Sequence, residues 1–396
     1  MELITTTKDC AAFCRKLAKE PYITIDTEFM RERTYYAKLC LVQIAGAEQA
    51  AAIDPLAPDI DLTSLFDLLS NTKVLKVFHA ARQDVEIFVN LTGKVPCPIY
   101  DTQVAAMVCG FGEAASYETL ATTLAKAKID KSSRFTDWSL RPLSERQLEY
   151  ALADVTHLRI VYEKLKEKTE TAGRTHWVDE EMDVLSSLST YQVDPYDMWR
   201  KLKLRSSKPR HRAILREIVA WREIEAQHNN VPRSRIIKDD PLLEIASHAP
   251  QTTEALTRIR GLGSGFAEGR HGTALLEAIQ RGMETPAEEC PPDQAKKRNP
   301  RGTGAVLELL KVLLYQVAEQ NDVAPRLIAT SDDLERLAAE EEPDIKTLRG
   351  WRLELFGQTA LALKKGELAL TIQKNKIKSF LTKEGAKPST SPRTTS

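Results

Sequence analysis

The stretch Tyr22-Ile23-Thr24-Ile25-Asp26-Thr27-Glu28-Phe29 is an apolar run that ends in two acidic residues. Such a run is typical of a buried β-strand. Side chains of a strand alternate between its two faces, so Asp26 and Glu28 lie on the same face. Carboxylates are rarely buried unless they are paired or bind a metal. The stretch therefore predicts a strand that offers two oxygen ligands to a divalent cation, with a helix cap or a salt-bridged strand end as the alternative.

A third acidic residue follows a later strand. Residues 73–79 predict a short strand, and residues 81–91 predict the helix that comes after it. Asp84 falls in the first turn of this helix. A carboxylate there also stabilises the positive end of the helix by about 0.3–1 kcal/mol, and for Asp84 considered alone this role is the simpler interpretation.

A fourth acidic residue lies on a long predicted helix. Residues 144–168 carry apolar side chains at helical spacing, and Ser144 with Gln147 has the pattern of a capping box. Tyr150 and Asp154 are four residues apart and therefore share one helical face. An aspartate on a buried face needs a partner, and a metal ion would supply it. A core tyrosine with a satisfied hydroxyl is the alternative for Tyr150.

These motifs together resemble the DEDD 3′→5′ exonucleases, which carry Asp-x-Glu, a later Asp and Tyr-x-x-x-Asp in this order. The histidine branch of that superfamily carries His at the position of Glu149, so the tyrosine branch is the match. More closely, the chain resembles the ribonuclease D family over most of residues 1–170. The stretches that carry this likeness are Ile25-Asp26-Thr27-Glu28-Phe29, Leu39-Cys40-Leu41-Val42-Gln43-Ile44, His79-Ala80-Ala81-Arg82-Gln83-Asp84, Asp130-Lys131-Ser132, Thr136-Asp137-Trp138, Arg141-Pro142-Leu143 and Tyr150-Ala151-Leu152-Ala153-Asp154.

The resemblance implies an α/β fold of the ribonuclease H type, in which helices flank a mixed sheet. Strand patterns at residues 22–28, 39–45 and 50–53 are joined by short links, which favours antiparallel pairing. The strand at residues 74–78 follows a helix, which favours parallel addition to the sheet. Helical patterns lie near residues 7–19, 62–69, 82–91, 101–109, 116–127 and 144–168.

The resemblance also implies hydrolysis of phosphodiester bonds with two divalent metal ions, Mg²⁺ or Mn²⁺. Asp26 would bridge both ions. Glu28 and Asp154 would complete the site that holds the attacking water, and Asp84 would support the second ion. Tyr150 would orient the water. These five residues are the expected catalytic residues, and the four carboxylates are the expected metal ligands.

The implied substrate is RNA with a free 3′ end, especially tRNA precursors and other structured RNA, degraded to 5′-mononucleotides. Thr27, Phe29 and His79 adjoin the motifs and are the expected substrate contacts. Core packing is the alternative for Phe29, and a structural role is the alternative for His79. Two other functions stay open: a DNA-directed 3′→5′ exonuclease, since carboxylates do not report on the 2′-hydroxyl, and a non-catalytic nucleic-acid-binding scaffold.

After about residue 200 the pattern becomes helical and repeats itself. Residues 228–246 align without gaps on residues 320–338, with six identities. With Trp221-Arg222 in its leading helix and Arg260-Gly261-Leu262-Gly263 later, the first copy resembles the helicase-and-RNase-D C-terminal (HRDC) domain, a nucleic-acid-binding or protein-binding module. The second copy departs from it at Glu340-Glu341-Glu342, which favours a packing role as much as RNA contact.

The expected domains are an exonuclease domain at 1–170, a helical linker at 171–207, an all-helical HRDC domain at 208–287, a linker at 288–301, a second all-helical HRDC-like domain at 302–380 and a disordered tail at 381–396.

The net charge is zero, with 56 basic and 56 acidic residues, so the distribution of charge bears on RNA binding more than its total. Residues 205–238 hold nine lysines and arginines against three glutamates, which predicts a basic surface for phosphates. We therefore expect RNA binding and cutting to be separable by deleting residues 208–396.

No apolar stretch is long enough to span a bilayer, and the six cysteines show no zinc-like pairing, so we expect a cytoplasmic monomer with no membrane partner.

Overall fold

The computed structural model describes residues 2–130, 133, 136–206, 208–292 and 302–382. Residues 293–301 of the predicted linker, residues 383–396 of the predicted tail, and Lys131 with Ser132 lie outside the described residues. The chain forms two compact units. The first comprises Met1–Asp101, Ala125–Ile160 and Met182–Ala295, and the second comprises Thr102–Leu124, Val161–Glu181 and Lys296–Ser396.

A six-stranded mixed sheet lies in the first unit, in the order β1-β4-β3-β2-β5-β6. Its strands are β1 (Glu2–Ile4), β2 (Tyr22–Met30), β3 (Lys38–Ala45), β4 (Ala50–Ile53), β5 (Leu75–Phe78) and β6 (Ile99–Asp101). Strands β2, β3 and β4 pair antiparallel, and β5 joins β2 in parallel, which confirms the predicted topology. Strands β1 and β6 have three residues each, too few for a period-2 pattern, so the sequence does not predict them.

The helices that precede the repeated modules agree broadly with the predicted ones. They are α1 (Thr7–Leu17), α2 (Thr63–Ser70), α3 (Arg82–Thr92), α4 (Thr102–Val108), α5 (Tyr117–Leu120), α6 (Glu145–Thr171) and α7 (Thr175–Ser186). The predicted capping box at the start of α6 is confirmed, because Ser144 and Gln147 each bond the other's backbone N–H with a side-chain oxygen. None of the helices described here combines the length and the hydrophobicity needed to cross a membrane.

The first helical module consists of helices packed around the long helix α8. Its helices are α8 (Pro209–His228), α9 (Arg233–Ile236), α10 (Asp239–His248), α11 (Thr253–Thr257), α12 (Ser264–Glu268) and α13 (Arg270–Glu284). Helices α8 and α13 approach closely at Gly282, where a Cβ atom would lie 2.5 Å from the Cα of Ile214. The core also contains Met198 and Trp199 from a preceding 3₁₀ segment, Pro195–Lys201. The linker predicted at residues 171–207 thus contains helical segments, and its residues Met198 and Trp199 belong to the core of this module.

The second helical module begins with the same arrangement as the first. Its helices are α14 (Thr303–Gln320), α15 (Pro325–Ile328), α16 (Ser331–Ala339), α17 (Gly350–Arg352) and α18 (Gln358–Lys365). Asn230 after α8 and Asp322 after α14 both adopt left-handed backbone, with φ of 48° and 49°. The preceding Asn229 and Asn321 each donate a side-chain hydrogen bond to a carbonyl of the last helical turn. The aligned stretches of the sequence thus have the same local structure.

Helix α7 packs on the second module. The ring of Trp177 stacks on Trp351, with 4.4 Å between centroids and 13° between planes. Glu181 on α7 accepts hydrogen bonds from Lys346 and Arg352. The first part of the predicted linker is therefore an integral part of the second unit.

A β-hairpin follows the second module, whereas the sequence predicts helices alone over residues 302–380. Strands β7 (Leu368–Gln373) and β8 (Lys376–Leu381) pair antiparallel. Lys374 and Asn375 between them have φ of 51° and 60°, as a two-residue type I′ turn requires. Gly366 ends α18 in the left-handed region. The sequence signal is the alternation of apolar and polar residues after this glycine, which a search for helical periods overlooks.

Candidate active site

Strand β2 places Asp26 and Glu28 on one face of the sheet. Asp26 lies opposite Gln43 of β3 in regular antiparallel register. The register shifts directly after Glu28, where Phe29 pairs with Leu39. Bulges of this kind are frequent beside active sites because they redirect the side chains that follow. The regular alternation holds up to Glu28, so the two carboxylates point the same way as predicted.

Helix α6 brings Asp154 to the same place. The buried hydroxyl of Thr24 on β2 donates a 2.8 Å hydrogen bond to the backbone carbonyl of Val155. The guanidinium of Arg159 donates hydrogen bonds to the carbonyls of Gly46 and Ala47, which follow β3. These bonds fix α6 against the sheet with Asp154 beside β2.

Three carboxylates from two elements meet here. One side-chain oxygen from each of Asp26, Glu28 and Asp154 lies within 4.8 Å of the other two. Burial raises the pKa of Asp26 to about 6, although a backbone hydrogen bond from Thr27 acts in the opposite direction. Negative groups this close repel one another, so a bound cation would stabilise the cluster.

Tyr150 lies one helical turn before Asp154 and hydrogen-bonds to it. Burial raises the pKa of Tyr150 above its ordinary value, and the charges of the three neighbouring carboxylates raise it further. The phenol therefore keeps its proton at neutral pH and acts as a hydrogen-bond donor. Its ring lies 6.1 Å from that of the buried Trp138, which forms part of the apolar cluster beneath it.

Asp84 on α3 lies beside Asp26 and is not one of the three clustered carboxylates. The hydroxyl of Thr27, which follows Asp26 on β2, donates a hydrogen bond to Asp84. Burial raises the pKa of Asp84 well above its ordinary value, and the charge of Asp26 raises it further. Of the four predicted ligands, the structure thus brings three together and couples the fourth to Asp26.

Asp101, which the sequence does not single out, holds the turn that leads to Asp84. Its two carboxylate oxygens accept hydrogen bonds of 2.9 Å from the backbone N–H groups of Ala80 and Ala81. Ala80 has left-handed backbone, and α3 has no side-chain cap of its own. Asp101 therefore acts as the missing cap from the end of β6. An acidic residue at a strand end is the available signal, but that strand is too short to be recognised.

Gln43 is a second residue that the motifs do not explain. Its side chain is fully buried, and neither atom of its amide has a hydrogen-bond partner among the described residues. Directly opposed residues of a ladder have Cβ atoms about 4.5–5.5 Å apart, so this amide lies next to Asp26. Buried polar groups need hydrogen-bond partners, and a water molecule held by a cation can be one. The carboxylate oxygens and the amide beside them therefore suit a hydrated Mg²⁺ or Mn²⁺.

The loop before α6 holds the apolar cluster that lies beneath Tyr150 in place. Arg141 donates two hydrogen bonds of 2.6 Å to the carboxylate of Asp54 and further bonds to the carbonyls of Trp138 and Cys40. Trp138 is thereby held beneath Tyr150. The resembling stretches around residues 136–143 are thus accounted for by packing behind the site.

The predicted substrate contacts differ in how much surface they offer. Thr27 is buried, and its hydroxyl is bonded to Asp84. Phe29 is half-buried at the bulge that follows Glu28, and His79 is half-buried after β5. Phe29 and His79 therefore have accessible surface for a nucleotide, while the side chain of Thr27 is directed to Asp84.

The basic segment 205–238 is less available to phosphates than its composition predicts. Five of its nine cations bond to protein groups: Arg210, Arg212, Arg216, Arg222 and Arg233. Arg212 and Arg222 are also buried. Among the described residues of the segment, the side chains left for phosphate contact are those of Arg205, Lys208, Arg235 and Lys238.

Two family models match the chain. Residues 1–170 match the model of the 3′-5′ exonuclease, and residues 211–279 match that of the HRDC domain. The first match contains all five predicted catalytic residues. The second lies within the first helical module.

Full-length relatives extend these matches. Ribonuclease D of Granulibacter bethesdensis is 52% identical and covers 96% of this chain and 96% of that protein. Ribonuclease D of Nitrobacter hamburgensis is 51% identical and covers 95% of this chain and 98% of that protein. The crystal structure of Escherichia coli RNase D, an exoribonuclease involved in structured RNA processing, matches with a TM-score of 0.79 at 29% identity and covers 92% of this chain and 98% of that one.

Proposed function

The chain belongs to the ribonuclease D family, and from this premise we propose that its acidic cluster hydrolyses RNA with two divalent cations and releases 5′-mononucleotides. As a member of that family it is a 3′→5′ exoribonuclease. The observation that carries the proposal is the convergence of the Asp26, Glu28 and Asp154 oxygens within 4.8 Å. When bound, the two cations supply an activated water, neutralise the phosphate and stabilise the leaving oxygen.

Asp26 is the proposed ligand common to both ions. Of the three clustered carboxylates, Asp26 is the one whose charge raises the pKa of Asp84. Glu28 and Asp154 would complete the ligands of one ion, and Asp84 would support the other ion. Thr27 orients Asp84 through its hydroxyl.

Tyr150 is proposed to orient the attacking water. Its hydroxyl lies among the carboxylates and keeps its proton, so it positions the water by hydrogen bonding and does not act as a base. Gln43 is proposed to hydrogen-bond a water or a carboxylate oxygen beside Asp26, because its buried amide is otherwise unpaired.

The proposed substrates are structured RNAs with a free 3′ end, in particular tRNA precursors. The processing of structured RNA by the E. coli relative supports this class. Phe29 and His79 are proposed to contact the terminal nucleotides. Thr27 is proposed to act indirectly, through its hydrogen bond to Asp84. Arg205, Lys208, Arg235 and Lys238 are proposed to hold the phosphates of the longer strand.

We also propose that the second module is an HRDC-like copy of the first, on the strength of the matching turns after α8 and α14.

A cytoplasmic monomer is the proposed state. All six cysteines are free, as a reducing compartment favours, and one chain contributes every carboxylate of the site.

The test compares RNA and DNA of one sequence, each labelled at the 3′ or the 5′ end, with and without a chelator. Immediate loss of the 3′ label from RNA as mononucleotide, stopped by the chelator and restored by Mg²⁺ or Mn²⁺, is expected. Faster degradation of DNA would support a DNA-directed exonuclease. Binding of RNA without cleavage under any metal condition would support a scaffold instead.

A further inference from the structure

The segment between β2 and β3, residues 31–37, is bonded to the first helical module. The hydroxyl of Tyr35 donates a hydrogen bond to Glu223 on α8. The backbone N–H of Tyr36 donates a 3.0 Å hydrogen bond to the side-chain oxygen of Asn230. Consecutive residues of a nuclease loop thus bond to one face of this module.

Glu223 is fully buried, and Arg233 supplies its counter-charge. Nη2 of Arg233 lies 2.6 Å from Oε1 of Glu223, and the guanidinium lies 4.9 Å from the centre of the Tyr35 ring. Burial raises the pKa of Glu223, but hydrogen bonds from Arg233 and Tyr35 outweigh it and hold the pKa below its ordinary value. The carboxylate is therefore ionised and is shared between a cation of its own module and a hydroxyl of the nuclease domain.

The N-terminal end of the segment follows the strand that carries Asp26 and Glu28 of the acidic cluster. Strand β2 ends at Met30, and the side chains of Met30 and Tyr150 pack against the same apolar cluster. Arg31 then forms an ion pair of 2.7 Å with Glu86, on the helix that carries Asp84. Residues 31–37 are thus attached to α3 on one side and to α8 on the other.

We propose that Tyr35 is a positioning residue for cleavage, and that the first helical module, through Glu223 and Arg233, sets the position of the strand end that carries Glu28 and Phe29. This rests on the proposed function, which assigns Glu28 to metal binding and Phe29 to the terminal nucleotide. A displacement of about 1 Å in an active site can cost on the order of 10²-fold in rate. The module therefore contributes to turnover independently of the RNA that it binds.

Tyr35→Phe is the discriminating variant because it removes only the hydroxyl. The ring stays beside Arg233, and Glu223 keeps its cation, so the module still folds. On a single-stranded RNA of about four nucleotides, kcat should fall roughly 10-fold or more while KM changes little. Tyr36→Phe is the matched control, since it removes a neighbouring hydroxyl and retains the backbone bond to Asn230. The control should keep the wild-type kcat.

A second readout follows the segment directly. Hydrogen exchange over residues 27–37 and tryptic cleavage after Arg31 and Arg33 should be faster in Tyr35→Phe than in Tyr36→Phe, with equal thermal unfolding midpoints. Unchanged kcat on the short RNA, or a rise confined to KM for long RNA, would overturn the inference, because the module would then only bind. Failure of the proposed function gives a different result, since the wild-type chain itself would then leave the short RNA intact.

Discussion

Asp26 and Gln43 face each other across the ladder of β2 and β3, an ionisable carboxyl on one strand opposite an unpaired amide on the other. Neither group is favourable here by itself: burial raises the pKa of the half-buried Asp26 to about 6, and the amide has no hydrogen-bond partner among the described residues. A bound hydrated cation would relieve both costs, and we therefore propose that the pair belongs to one metal site.

Gln43→Met should therefore weaken metal binding and leave the fold intact. Methionine fills a similar volume and removes the unpaired amide, so thermal stability without metal should be equal or higher. Residues that support metal ligands typically contribute 10- to 100-fold, and we expect Mn²⁺ affinity to fall by about 10-fold or more. Titration calorimetry with Mn²⁺ measures this. Unchanged affinity would assign Gln43 to packing alone.

Asp26→Asn should abolish hydrolysis while RNA binding persists. The variant removes the ligand common to both proposed ions, and the effect should exceed the ~10²-fold typical of supporting residues. Release of mononucleotides from 3′-labelled RNA and filter binding in the presence of Ca²⁺ give the two quantities. Activity close to that of the wild type would contradict the two-ion mechanism.

Tyr150→Phe should slow cleavage by roughly 10²–10⁴-fold, the range of positioned groups that assist proton transfer. Its ring would still pack by Trp138, so the unfolding midpoint should not move. Tyr162→Phe serves as the control, because Tyr162 is a buried tyrosine further along the same helix. Single-turnover rates should separate the two variants. Equal rates would leave Tyr150 as a core residue.

Lys76 on β5 predicts a specific dependence of stability on pH. It is fully buried, its ammonium donates hydrogen bonds to the carbonyls of Asn71, Val74 and Cys97, and burial lowers its pKa to about 8. Between about pH 8 and 10.5 the unfolded chain holds this proton and the folded chain has lost it, so stability gains with rising pH. Compared with Lys76→Met, the wild type should gain unfolding free energy across that window in urea titrations. Parallel curves would refute the shift.

Deletion of residues 208–396 should not yield the separable nuclease that the sequence suggests. The deletion uncovers Met198 and Trp199, which lie in the core of the first module, and Trp177, which stacks on Trp351. Each large side chain stabilises a fold by about 1.5–3 kcal/mol when buried. We expect the fragment of residues 1–207 to aggregate at concentrations where the full chain is monodisperse in size-exclusion chromatography. A monodisperse fragment with normal turnover on short RNA would contradict this.

Within each pair of residues of the acidic cluster, the geometry is local and can be predicted from the sequence. The period of a strand places Asp26 with Glu28, and the period of a helix places Tyr150 with Asp154. The convergence of the two pairs is not local, and only the family resemblance implies it. Asp101 and Gln43 carry no motif, because their importance comes from cross-strand and strand-to-helix neighbours.

Charge is the property that the sequence describes least well. A count of cations treats every arginine as surface, but burial and ion pairing are decided by tertiary contacts. Arg222 pairs with Asp239 and Arg233 with Glu223, so cations that the count assigns to an RNA surface are instead paired within the module. The contact between Tyr35 and Glu223 joins residues far apart in the chain and has no sequence signature.

The left-handed turn after the first helix of each module has a further consequence. In one copy Asn230 accepts a hydrogen bond from Tyr36; in the other the backbone N–H of Ala324, two residues after Asp322, donates a 3.0 Å hydrogen bond to the carbonyl of Met107. In both copies the turn after the first helix is thus bonded to a segment of the exonuclease domain, at Tyr36 in one and at Met107 in the other. The groups at this turn are therefore already bonded within the protein in both copies, so we expect RNA contact by a module to come from other residues.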